Sequence, residues 1–385
     1  MAFITGNFPG SCVDNIQNYS DRIECTPKVN AAVLSRGLTN GHHEFRCLAV
    51  GTPGEEVHIV VHWPEYNVET ADRSNEYWFV ESFYGVADQV VFTGTDELHW
   101  QRIETVWKDG WDLHIRVTLP EEGRLYVSVN LPFTVKALQQ VCDRFAPWRV
   151  TVGKTAGGMD MPAFRFGTGK KVIWLQANQH VTEVCGCHVL SSLMEYISDP
   201  AVDLKDYTFV VIPSISVEKM FMDQEYPEYP VNINRDWGTR KQPETKAIHE
   251  YLQGMAAEGY EILVMVDMHC GWCRVGDSGG NITEYNHGFI PNDYWDRRMK
   301  YTHAVLAALD YEKPDKIWWC DFPPVQTFFQ YGSQLYGALC STYEFSRFQI
   351  WNREKGDYDP LSQEALEKLG KQYAKFLLSY DFEEV

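Results

Sequence analysis

A chain of 385 residues, 44% of them hydrophobic and 23% charged, has enough apolar material for a sizeable core, which excludes wholesale disorder and collagen-like structure. Its 53 acidic residues outnumber 34 basic ones, for a formal net charge of −19, and no basic patch offsets that field, so no nucleic-acid partner is expected. No stretch reaches the roughly 18 apolar residues of a membrane span, and residues 1–12 carry no signal-peptide pattern, so no membrane association and a cytoplasmic location are expected, with the ten cysteines read as reduced thiols.

From about Glu44 to Phe133 the chain shows short alternating runs between turn residues. The clearest is Leu113-His114-Ile115-Arg116-Val117-Thr118-Leu119, bracketed by the turns Asp109-Gly110 and Glu121-Glu122-Gly123. Residues 57–62, 77–83, 89–92 and 125–130 are further strand candidates. This spacing predicts a small antiparallel β-sandwich, occupying residues 1–131. After Pro132 the texture changes. A helix is predicted over 135–145, followed by buried strands at 172–177, 208–212, 262–266 and 335–343. Between and after them lie helices at 184–197, 243–257, 293–309 and 362–378. Residues 132–385 therefore read as an α/β domain with a parallel or mixed sheet flanked by helices, whose ligands gather where strands end.

Directly after the strand 172–177 come His180-Val181-Thr182-Glu183, an imidazole and a carboxylate three apart. Alone, this pair reads more readily as a helix-capping segment whose His merely hydrogen-bonds. The strand 262–266 then runs into Asp267-Met268-His269, which puts a second imidazole at a neighbouring strand end. Two His and one carboxylate leave a fourth position open, the pattern of a catalytic zinc. Asn232-Ile233-Asn234-Arg235-Asp236-Trp237 offers a guanidinium for a carboxylate, and Thr342-Tyr343-Glu344 a general base on the last apolar strand.

This order of HxxE, NRDW followed by Pro243-Glu244-Thr245, a strand ending in His and a strand carrying Glu resembles the zinc carboxypeptidases. Residues 153–162 are similar to the hairpin that opens their catalytic domain, and the preceding β-domain resembles the cytosolic carboxypeptidase branch. The resemblance implies a carboxypeptidase-like mixed sheet and one Zn2+ per chain, held by His180, Glu183 and His269. It implies that Asn234 and Arg235 grip the substrate's terminal carboxylate and that Glu344 is the general base. The activity implied is hydrolysis of a C-terminal peptide or isopeptide bond, with a peptide or protein C-terminus as partner.

Three departures stand out. Where an oxyanion Arg is usual upstream of Asn234-Arg235, the best-matching position holds Glu225, with Lys219 nearby. Asn232 stands where an Asp partner of a ligand His is usual, and Phe329 where glutamate-trimming members carry Arg. Phe329 is thus expected in the substrate pocket. Arg347, three residues past Glu344, is expected on the same strand and the opposite face, favouring an apolar or neutral substrate terminus. Two other readings remain: an amidohydrolase of the aspartoacylase or succinylglutamate desuccinylase type, and a non-catalytic binding protein on the same scaffold. Cys185-Gly186-Cys187 and Cys270-Gly271-Trp272-Cys273 read as packing, with a redox or metal role as the alternative.

Overall fold

The computed structural model describes residues 2–28, 45–63, 90–180, 183–217, 233–270, 281–285, 292–313, 317–320 and 327–383. The expected strand 77–83, Gln89, Asn232, Lys219, Glu225 and Cys273 lie outside the described residues.

Alternation of apolar and polar side chains shapes the first unit, which runs to Gln139. In chain order its strands are β1 (Phe3–Thr5), β2 (Val13–Asn18), β3 (Ile23–Pro27), β4 (Arg46–Val50) and β5 (Glu56–His62). After these come β6 (Val91–Gly94), β7 (Gln101–Ile103), β8 (Val106–Asp109), β9 (Asp112–Thr118) and β10 (Arg124–Val129). They form two sheets, ordered β1-β4-β10-β6-β7 and β2-β3-β5-β9-β8, antiparallel except for the parallel pair β3–β5. Leu113, Ile115 and Val117 of β9 point inward and meet Cys47, Ala49, Val127 and Val129 of the other sheet, the shared core of a sandwich. The strands begin at Phe3, well before Glu44, where the alternating runs start to show in the sequence. β2 is polar on most positions, so alternation does not mark it.

The second unit begins at Gln140, inside helix α1 (Val135–Arg144). Its elements are β11 (Arg149–Val150), β12 (Ala163–Phe166), β13 (Lys171–Ala177), α2 (Cys185–Ile197), β14 (Tyr207–Ile212) and α3 (Pro243–Ala257). Then follow β15 (Glu261–His269), β16 (Asn281–Tyr285), α4 (Asn292–Ala308), β17 (Ile317–Cys320), α5 (Phe328–Tyr336), β18 (Leu339–Glu344) and α6 (Gln363–Ser379). One sheet collects eight strands in the order β11-β12-β14-β13-β15-β18-β16-β17. Its centre, β14-β13-β15-β18, is parallel, and Val172 to Leu175 of β13 are wholly buried, as strands covered on both faces require.

Register within this centre places the chemistry. Val172 pairs with Ile262, but Ile173 pairs with Val264, so Leu263 is an extra residue in β15. Beyond that bulge Gln176 lies opposite Asp267, and on the other side His269 lies opposite Glu344. Helix α2 reaches these strand ends through Gly186. A Cβ there would stand 2.5 Å from Met268 Cβ and 2.9 Å from Ala177 Cβ, both on the central strands. Gly186→Ala should therefore destabilise the protein by about 1–3 kcal/mol through overpacking, read as a lowered urea midpoint at unchanged slope.

The stretch 335–343 is not one strand. Thr327 and Gln330 form a capping box that starts α5, and Gly337, at φ 63°, ends it before β18 begins at Leu339. Strand β18 also stops at Glu344, so alternation does not reach Arg347. That residue is buried instead, and its charge acts on the Cys270 thiol. Among the described residues no helix is long and apolar enough to cross a membrane.

Candidate metal centre

Three central strands deliver the site from their carboxyl ends. After β13 the backbone turns sharply at Asn178, whose φ of 59° suits Asn better than most residues, and whose amide bonds Ser214 Oγ at 3.0 Å. The turn presents His180. The Glu183 N–H then bonds the His180 carbonyl at 3.0 Å, folding the carboxylate back over the imidazole just ahead of α2. His180 Nδ1 lies 3.0 Å from Glu183 Oε1, and His269 Nδ1, from the end of β15, lies 2.6 Å from Glu183 Oε2. The ligand atoms of His180, Glu183 and His269 all fall within 4.8 Å of one another. Two imidazole nitrogens and a carboxylate converging on one point form a donor set that fits a metal ion, with room for a fourth ligand.

Charge organises this cluster. Burial works against ionisation of Glu183, yet the charges and hydrogen bonds of His180 and His269 hold its carboxyl well below the ordinary range. Burial likewise opposes a proton on His269, but Asp267 and Glu183 on either side push it well above the ordinary imidazole value. Glu344 behaves differently. Burial, reinforced by Glu183 and Asp267 against the opposing charges of His269 and Arg235, pushes it up to about 8. Its Oε2 is a buried oxygen without a hydrogen-bond partner. An orphaned carboxylate oxygen of that kind, opposite His269 on the next strand, suits a proton acceptor for a group that enters the site.

Asp267 sits two residues before His269, so strand alternation turns both to the same face. Its Oδ2 lies 2.6 Å from His269 Nε2. Gln176 Nε2 donates to Asp267 Oδ1 at 3.3 Å, and Gln179 Nε2 donates to Oδ2. Behind these amides, Trp174 Nε1 donates to Gln176 Oε1 at 2.9 Å and Trp237 Nε1 to Gln179 Oε1 at 3.0 Å. The sequence reading looked for a carboxylate partner near Asn232 and passed over Asp267. The period of two within Asp267-Met268-His269 is the signal that finds it.

The Asn-Arg turn is held from below by Asp236. Its carboxylate accepts from Thr239 and Thr245 hydroxyls and from the backbone N–H groups of Lys241 and Gln242. Asn234 Oδ1 accepts the Phe328 N–H at 3.2 Å, and its Nδ2 stands 3.3 Å from His269 Nε2, so Asn234 touches the His269 imidazole. Arg235 is half-buried, donates to the Asn234 carbonyl at 3.1 Å, and bears electrostatically on Glu344. Phe329 lies fully buried in the first turn of α5, with the Arg298 guanidinium 3.9 Å from its ring centre. Arg298 is thus a buried cation of this unit that the sequence reading did not consider, and Arg347, expected on the opposite face of the strand, is buried as well.

The cysteines pack. Cys185 N–H meets Cys270 Sγ at 3.4 Å, and Cys270 N–H meets Glu183 Oε2 at 3.3 Å. Burial, helped by the neighbouring Cys185, raises the Cys270 thiol well above its ordinary value, which keeps it protonated.

No protein-family model and no curated protein matches the chain. Solved structures do. A metallo-carboxypeptidase from Burkholderia cenocepacia superposes with a TM-score of 0.72 at 18% identity, covering 98% of each chain. The metallo-carboxypeptidase from Pseudomonas aeruginosa, solved in complex with (2-guanidinoethylmercapto)succinic acid, gives 0.74 at 15% identity, covering 97% of this chain and 98% of that one. The chain therefore has the metallo-carboxypeptidase fold over its whole length, sandwich included.

Proposed function

We propose that this protein is a zinc-dependent metallocarboxypeptidase that hydrolyses a C-terminal peptide or isopeptide bond. The observation that carries the reading is the convergence of His180, Glu183 and His269 beside the orphaned Glu344 carboxylate, on a fold shared with metallo-carboxypeptidases. His180, Glu183 and His269 would hold the ion. When bound, zinc polarises a carbonyl and makes hydroxide available near neutral pH.

The remaining work falls to the chain. Arg235 binds the substrate's terminal carboxylate through its planar fork, which fixes the bond next to it for attack. Asn234, held by the Phe328 N–H, supports this turn and steadies His269. Glu344 takes a proton from the attacking water and delivers it to the leaving nitrogen. The succinic-acid derivative bound by the Pseudomonas protein carries carboxylates of the kind Arg235 would hold. Full-length likeness to carboxypeptidases, with the sandwich at the amino end, favours this reading over an amidohydrolase. The free thiols of the described cysteines support a cytoplasmic setting.

A hydrolysis screen of zinc-loaded protein on peptides with free and amidated C-termini tests the reading. Arg235→Ala should raise KM and lower kcat/KM on free-carboxylate peptides by roughly 10-fold or more, with zinc content unchanged. Equal cleavage of amidated and free peptides by the wild type would show that Arg235 anchors no terminal carboxylate. No cleavage of any peptide, with zinc bound, would leave the binding-protein reading.

A further inference from the structure

We infer that Trp174 and Trp237, acting through Gln176, Gln179 and Asp267, fix which ring nitrogen of His269 keeps its proton. The argument rests on donor chemistry. An indole N–H can only donate, so the side-chain atom facing each indole must be the glutamine oxygen. Each amide is thereby locked with its NH2 group toward Asp267, one reaching Oδ1 and the other Oδ2. A glutamine free to flip could offer either end; these two cannot.

Asp267 then receives an N–H on each oxygen and serves as an acceptor. His269 Nε2, 2.6 Å from Oδ2, must carry a proton to make that contact. Asn234 Nδ2, 3.3 Å from the same nitrogen, is also a donor and would favour a lone pair there, but the closer contact, 2.6 Å to an acceptor carboxylate, prevails. The nitrogen left to offer a lone pair is Nδ1, which faces Glu183 Oε2 and His180. When a cation enters, the proton displaced is the one on Nδ1, and Nε2–H stays. Two tryptophans, each three hydrogen bonds away from the imidazole, thus select the tautomer that can ligate. Both are buried completely, so neither hydrogen bond competes with water.

The inference rests on the proposed metal role of His269, and its test reads metal and proton without substrate. Zinc affinity by chelator competition, with 1H–15N correlation spectra of the His269 ring in zinc-loaded protein, forms the readout. The wild type should show a downfield, slowly exchanging Nε2–H. Asp267→Asn should lose that signal and about 10–100-fold in zinc affinity. Trp237→Phe, which deletes the N–H and keeps an aromatic ring, should lose roughly 2–10-fold, the worth of one hydrogen bond.

The decisive comparison is the double mutant. In the Asp267→Asn background Trp237→Phe should cost nothing further, because the relay is already cut. A tryptophan that merely packs would cost the same in both backgrounds, and additive losses, or a zinc-loaded wild type with no proton on Nε2, overturn the inference. Should Trp237→Phe fold poorly, Gln176→Met and Trp174→Phe run the same cycle from the other arm. A protein with the relay signature that cleaves no peptide overturns the peptidase reading alone. Cleavage with additive losses overturns the relay alone.

Discussion

Glu344→Gln should reduce peptide hydrolysis by roughly 10²–10⁴-fold while zinc content and substrate KM stay near wild type. The size follows from its position. Glu344 lies opposite His269 on the neighbouring strand, shares its field with Glu183, Asp267 and Arg235, and leaves Oε2 without a partner. Glutamine keeps the shape and removes the proton acceptor. A second effect should run the other way. In the metal-free protein the Glu344 carboxyl is raised to about 8, from an ordinary value of 4.5. Between those values the folded state binds more protons than the unfolded state, so this group makes stability fall as pH rises through that window. The substitution removes that loss. Metal-free Glu344→Gln should therefore gain melting temperature over metal-free wild type at pH 8 and not at pH 4. Lost activity with no stability gain would mean that the carboxylate is comfortable where it sits. Unchanged activity would remove Glu344 from the chemistry.

His269→Ala and His180→Ala should each abolish zinc retention through gel filtration. Either change leaves two protein ligands where three converge within 4.8 Å, and an ion so held is open to solvent on two sides. The loss should exceed the 10–100-fold expected when only an outer partner of a ligand is changed. His269→Ala should be the more disruptive to the fold. It strips a buried hydrogen-bond partner from both Asp267 and Glu183 and leaves two carboxylates facing a cavity, whereas His180 is partly exposed. Metal analysis and circular dichroism on the purified variants measure both effects. Full zinc occupancy in either variant would remove that residue from the ligand set.

What could be read ahead of the structure follows from the range of each signal. The pairing of His180 with Glu183, and the fall of His269 at a strand end, are local, and the structure does bring them together. The buried strands of the central sheet were visible as apolar runs because both of their faces are covered. Helix α5 was not. Its sequence, Phe-Phe-Gln-Tyr-Gly-Ser-Gln-Leu-Tyr, has a wholly buried first turn that mimics a strand, and only the spacing of Thr327 and Gln330 betrays a helix start. Arg347 was misplaced for the same reason: a strand drawn too long carried its alternation past Glu344. Gln176 and Gln179 lie 91 and 88 residues from Asp267 along the chain, and no local pattern links them or the two indoles to it.

The extra residue in β15 has a consequence for how this sequence can drift. Side chains on a strand change face at every step, so Leu263 sets the phase of all that follows it. Were Leu263 paired in step, Val266 would stand opposite Gln176; because it is left out of the pairing, Asp267 stands there instead. Deleting residue 263 would close the bulge and still leave Asp267 opposite Gln176, whereas a residue added or lost between Val264 and His269 would turn Asp267 and His269 to the other side of the sheet. Relatives of this protein can therefore be expected to vary in what occupies the bulge, or to lack it, and to agree on the length of the segment after it.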